Sequence, residues 1–215
     1  MPMKSDREYR NIQVQDLETR SAEDGGMFVE GYATTFNQPY MLCGDEKITV
    51  NEQIDRGAFA ETDMSDVIMQ YDHEGRVFAR IANGTLKLEE DDHGLKITAN
   101  LGGTEIGRQL FEEIRGGYTN KMSFGFTVPK GGDVRTRSKG EDGHITILRT
   151  ITKVGKLYDV SAVSLPANDA TEISSRTISD GLIAEAQEEI RAEEERQRRI
   201  GEIRKILKGE TNHEE

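Results

Sequence analysis

The sequence predicts a mainly β protein with flanking helices and a charged C-terminal helix, and three observations carry that expectation. From Ile12 to about Val163 the apolar residues mostly recur with period two, the spacing of strands that bury one face. One stretch within that region, holding Ile106, Leu110, Phe111 and Ile114, has helical spacing instead. After Pro166-Ala167-Asn168 the composition shifts to helix formers with thin apolar content. The 215 residues leave room for one substantial domain and an appendage, placed at 1–175 and 176–215.

Each element has its own signal. Met27-Phe28-Val29-Glu30-Gly31-Tyr32-Ala33 follows Gly25-Gly26 and reads as a strand. The clearest hairpin pairs Thr85-Leu86-Lys87-Leu88 with Leu95-Lys96-Ile97-Thr98-Ala99 across an acidic turn, Glu89 to Gly94, whose carboxylates are expected to face water. Thr104 can cap the single internal helix and Gly116 can stop it. That helix delivers the chain into Met122-Ser123-Phe124-Gly125-Phe126-Thr127-Val128, a strand whose alternation puts Met122, Phe124 and Phe126 on one face and Ser123, Gly125 and Thr127 on the other. Residues 129–143 have no apolar period and read as a mobile, protease-sensitive loop. Ile145-Thr146-Ile147-Leu148 after Asp142-Gly143 is a further strand. From about Asp180 to Lys208 the chain is nearly continuous helix former, with Glu194–Arg198 and Glu195–Arg199 one turn apart. Its sparse apolar stripe suits a solvated or partner-binding helix better than a long coiled coil.

Composition narrows the chemistry. A net charge of −12 argues against duplex nucleic acid as partner, because phosphate binding needs clustered Lys and Arg. The single cysteine, Cys43, precludes an intramolecular disulfide and has no evident base partner. The four histidines show no metal-ligand spacing, so neither metal nor cofactor is expected. His93 and His144 lie in turns and are expected to be exposed, with His213 in the tail. No run of 18 apolar residues and no secretory h-region occurs, and the expectation is a soluble protein of a reducing compartment.

Three residues in the order His73, Ser123, Asp159 form a candidate nucleophilic site. A serine hydroxyl is a weak nucleophile at neutral pH, so acyl transfer needs an imidazole to accept its proton. His73 in Tyr71-Asp72-His73-Glu74-Gly75 supplies that base, and Asp159 in Leu157-Tyr158-Asp159-Val160-Ser161 supplies an acceptor for the far ring nitrogen. Donors for the oxyanion are expected either from the glycine-flanked Ser123 segment or from the Pro166-Ala167-Asn168 turn. No GxSxG elbow is present. Each residue also has a plainer reading: a loop histidine, a small strand residue at a close backbone approach, an aspartate opening a strand.

The pieces together resemble the prohead serine proteases of tailed bacteriophages of the HK97 type, which are related in fold to the herpesvirus assemblins. They run through residues 28–172: Val29-Glu30-Gly31-Tyr32-Ala33 with Phe36-Asn37 and Pro39-Tyr40, Arg56-Gly57-Ala58-Phe59, Asp72-His73, Gly84-Thr85-Leu86 with Gly94-Leu95, Met122-Ser123-Phe124-Gly125-Phe126, and Asp159-Val160-Ser161 with Leu165-Pro166-Ala167-Asn168. The resemblance implies an assemblin-like β-barrel serine endopeptidase in which His73 is the base and Ser123 the nucleophile. Assemblins carry a second histidine where this chain has Asp159. Asp72 and Glu74 compete for that third role, although neighbours on a strand point away from the ring.

By the same resemblance the enzyme acts inside the procapsid in the host cytoplasm, on the major capsid protein or scaffolding protein and on itself, with homodimerisation or crowding within the shell as controls. The charged helix would tether it or be removed by self-cleavage. No membrane or nucleic acid partner is implied. The competing expectation is a non-catalytic assembly scaffold that retains the fold.

Overall fold

Strands of alternating sequence are the commonest element of the chain, in a computed structural model that describes residues 7–12, 17–23, 25–163 and 169–207. In chain order they are β1 (Arg7–Ile12), β2 (Glu18–Ser21), β3 (Met27–Thr35), β4 (Tyr40–Gly44), β5 (Ile48–Ile54), β6 (Ile68–Tyr71), β7 (Glu74–Arg80), β8 (Leu86–Glu90) and β9 (Gly94–Asn100). Helix α1 (Glu105–Arg115) precedes β10 (Lys121–Thr127), β11 (Asp133–Lys139), β12 (Ile145–Ile151) and β13 (Lys156–Val163), and helix α2 (Asp169–Leu207) follows. The described strands form three open sheets, ordered β1-β10-β13-β6-β7, β11-β12-β5-β4 and β2-β3-β9-β8. The expected class, mainly β with a C-terminal helix, is what the chain adopts; its sheets do not close into a barrel.

The chain divides into two compact units, Met1–Arg176 and Thr177–Glu215. In the first, Val29 and Ala33 of β3, Ile97 and Ala99 of β9, and Phe124 and Phe126 of β10 belong to one buried apolar cluster. Helix α1 contributes Leu110, Phe111 and Ile114 to it and lies against β2, β3 and β7. Burying each such side chain stabilises the fold by about 1.5–3 kcal/mol. The Thr104 hydroxyl accepts from Gly107 N–H at 3.1 Å, and Gly116 closes the other end, as expected. In the second unit the described side chains of α2 are largely exposed, and Arg199 pairs with Glu195 at 2.5 Å. The helix begins at Asp169, just after the composition shift and earlier than the run of helix formers from about Asp180 suggests.

The segment 129–143 is not the loop its composition predicts. It contains β11, an edge strand paired with β12 from Asp133↔Ile151 to Lys139↔Ile145. Neither face of β11 is buried, so backbone pairing alone defines it and no apolar period is needed. Two histidines also depart from expectation. His93 is half-buried, edge-on to Tyr32 at 4.6 Å, and His144 is half-buried with Nε2 2.9 Å from Thr49 Oγ1. His213 lies outside the described residues.

Apart from Asp159, the buried charges among the described residues gather at one place. β5 and β12 alternate regularly, and at the inward positions otherwise filled by Ile48, Val50, Ile54, Ile145, Ile147 and Ile151 stand Glu52 and Arg149, directly opposite each other in the parallel pairing. Arg149 Nη1 donates to Glu52 Oε2 at 2.6 Å, and Tyr40 OH donates to Glu52 Oε1 at 2.6 Å. β1 adds Glu8 and Arg10 to this pair.

Candidate active site

Ser123 reaches the site because β10 alternates: Met122, Phe124 and Phe126 turn into the core, and Ser123 and Gly125 share the opposite face. Asp159 and Ser161 share a face of β13 for the same reason. The antiparallel register sets Ser123 opposite Ser161 and Gly125 opposite Asp159. A bulge follows immediately, since Phe126 pairs with Leu157 and leaves Tyr158 unopposed.

His73 comes from elsewhere in the same sheet, at the two-residue turn between β6 and β7. Asp72 and His73 both have positive φ, 48° and 61°, the signature of a type I′ hairpin. The left-handed region costs an L-residue roughly 1–2 kcal/mol, so the imidazole is held against local backbone preference. The turn is tied to β13 by Asp72 N–H donating to the Ala162 carbonyl at 3.0 Å. His73 therefore stands at a hairpin tip rather than between strand neighbours, and its partners come from β10 and β13.

The structure brings all three sequence-predicted residues together. His73 Nδ1 hydrogen-bonds Asp159 Oδ2, and Nε2 lies 2.5 Å from Ser123 Oγ. A carboxylate only accepts, so the proton sits on Nδ1 and Nε2 is free to accept from the serine hydroxyl. Ser161 Oγ donates to the same Asp159 oxygen at 3.0 Å and lies 3.2 Å from His73 Nδ1. The Tyr9 ring meets the imidazole edge-on at 4.5 Å. Ser123 and Asp159 are essentially without solvent exposure, at 0% and 1%. In so dry a setting, an imidazole between an alcohol and a carboxylate can take the alcohol proton while the carboxylate offsets the resulting positive charge.

Sequence reasoning missed Ser161, Tyr9 and the reason for Gly125. Ser161 was legible, being two residues beyond Asp159 on a strand. Tyr9 carries no local signal, since only the pairing of β1 with β10 places it. Of the two expected oxyanion sources, Pro166-Ala167-Asn168 lies outside the described residues. Around Ser123 the backbone is paired on both sides, with Asn11 and with Ser161. Among the described residues no cluster of His, Cys, Asp and Glu could hold a metal ion, and no helix is long and apolar enough to cross a membrane.

Residues 15–183 match the family model described as caudovirus prohead serine protease. A solved structure of the bacteriophage T4 capsid assembly protease, gp21, is similar at 12% identity and a TM-score of 0.42, covering 73% of this chain and 96% of that one. No curated protein matches the chain.

Proposed function

The chain belongs to the caudovirus prohead serine protease family, and from that premise we propose that it is a serine endopeptidase of head maturation, cutting scaffold or the scaffold-like segment of the capsid protein, and itself, within the procapsid. The observation that carries this reading is the His73 ring bridging Ser123 Oγ and Asp159 Oδ2. In the proposed reaction His73 Nε2 accepts the Ser123 proton as Oγ attacks the peptide carbonyl, then delivers it to the leaving amine, and water resolves the acyl-enzyme by the same route. Asp159 holds the ring in its tautomer, and Ser161 fixes the carboxylate. Residues 1–175 carry the chemistry, and 176–215 serve as tether or self-cleaved tail.

The test is coexpression with the neighbouring capsid protein, as wild type and as Ser123→Ala, followed by intact-mass measurement. Specific fragments that vanish in the variant support the assignment, with kcat/KM lower by on the order of 10⁴-fold or more. Identical fragments from both chains exclude Ser123 as nucleophile. Intact capsid protein with both chains favours a non-catalytic assembly module.

A further inference from the structure

Ser123 is sealed by the chain's own N-terminal strand. β1 pairs with the outer edge of β10 in antiparallel register, Tyr9↔Gly125, Arg10↔Phe124 and Asn11↔Ser123, and lies before the residues 15–183 that match the family model. The Arg10 carbonyl oxygen stands 3.0 Å from Ser123 Oγ, a second acceptor for the hydroxyl proton that His73 needs. An extended peptide that adds to this edge lies along β10 and presents its main-chain carbonyls beside Ser123.

The two faces of β1 are both engaged. On the Ser123 face, Tyr9 packs on His73, and Arg7 stacks on Tyr158 at 3.8 Å with Nη1 3.7 Å from Asp159 Oδ1. On the other face, Glu8 and Arg10 enter the interior charge site. Arg10 binds both Glu52 oxygens, at 2.5 and 3.0 Å, and Arg149 binds both Glu8 oxygens, at 2.8 and 3.2 Å. Without β1, Glu52 and Asp133 are matched by Arg149 and Arg135, so the site is a receptor that is balanced when empty and takes an acidic and a basic side chain together. Buried ion pairs add little net stability compared with apolar packing, but they discriminate strongly against a wrong or missing charge.

We infer that residues 7–12 occupy the substrate-binding edge of β10, and that Glu52, Arg149 and Tyr40 form a specificity site for extended polypeptides carrying an acidic residue and, two positions later, a basic one. This inference deepens the protease reading and rests on it for the meaning of Ser123. Occupancy by β1 restrains the nucleophile until a competing strand of the same charge pattern displaces it. Displacement is a population shift, and reactivity tracks the fraction of molecules with the edge open.

Two measurements on the full chain separate the strand site from the chemistry. The variant Glu8→Ala/Arg10→Ala removes one charge of each sign from β1 and leaves the receptor balanced; Glu8→Gln/Arg10→Gln keeps the volume should the first fail to fold. Anisotropy of a fluorescent peptide with the sequence of residues 6–12 is read first. It is expected to bind the double variant, to bind wild type at least about tenfold more weakly because the edge is occupied, and to lose binding when the residues corresponding to Glu8 and Arg10 are interchanged. Labelling of Ser123 by a fluorophosphonate is expected to rise by about tenfold or more in the double variant and to fall again when the peptide is added. Equal labelling of wild type and variant, with no competition by peptide, overturns the inference and leaves the protease reading intact. Peptide binding with the expected charge order, but no labelling of any chain, upholds the strand site and rejects the nucleophile. Binding indifferent to the charge order overturns the specificity site.

Discussion

A β-carbon on Gly125 would lie 2.4 Å from Asp159 Oδ1 and 2.8 Å from the Tyr9 ring, so this glycine is there to let a carboxylate and an aromatic edge pass. Gly125→Ala is expected to cost about 1–3 kcal/mol in a chemical melt, and to lower kcat more than it raises KM, since the group displaced is Asp159. Asp159→Asn should leave the fold standing yet reduce kcat by roughly 10⁴-fold, because an amide admits the wrong imidazole tautomer. Ser161→Ala removes one charge-assisted bond to Asp159, and steady-state kinetics should show a loss of about tenfold. The triple variant Gly125→Ala/Asp159→Asn/Ser161→Ala, if no slower in kcat than Asp159→Asn alone, would fit three residues acting as one unit.

Among the elements, β11 is where chain order and exposure diverge. It is a paired strand with polar faces, and its hairpin with β12 turns through Gly140 to Gly143, exposed residues with a positive φ at Gly143. Brief trypsin treatment should nick after exposed Lys139 before it cuts within β5 or β10, with mass spectrometry of the fragments as the check. A first cut inside β10 would mean that the sheet opens more readily than the hairpin tip. α1 presents the opposite case, since cap, apolar stripe and stop all agreed locally and all recur in the structure.

For the molecule as a whole, the interior charge site makes stability depend on acid. Burial alone pushes the Glu52 carboxyl up, but Arg10 and Arg149 outweigh it and hold it below the usual carboxylate range. Asp133 behaves likewise, burial being outweighed by its bonds to Arg149 and Arg135. A carboxyl with a depressed folded pKa stabilises the native state above its unfolded value, about 4, and that contribution drains away as pH falls through the folded value. Melting temperature should therefore change little between about pH 7 and 5 and drop below about pH 4. Glu52→Gln should melt lower at neutral pH and show a shallower acid decline, and an unchanged acid slope would remove Glu52 from the account. Glu52→Ala, which leaves two buried guanidinium groups sharing a lost partner, should cost about 3–5 kcal/mol.

The class of fold, the helix with its caps and the hairpin at 85–99 were legible in spacing that a strand or helix must respect, and His73, Ser123 and Asp159, which the fold brings within hydrogen-bond reach, were legible as residue types suited to a proton relay. The sequence did not reveal β11, whose pairing is made by backbone groups common to every residue. It also gave no sign of what covers Ser123. Glu52 and Arg149 interrupt otherwise apolar alternations, a visible anomaly, yet their meaning depends on Glu8 and Arg10 arriving from a distant strand. Only tertiary structure decides such pairings, since the energy of a buried charge is set by which opposite charge lies within reach, and sequence separation carries no information about that distance.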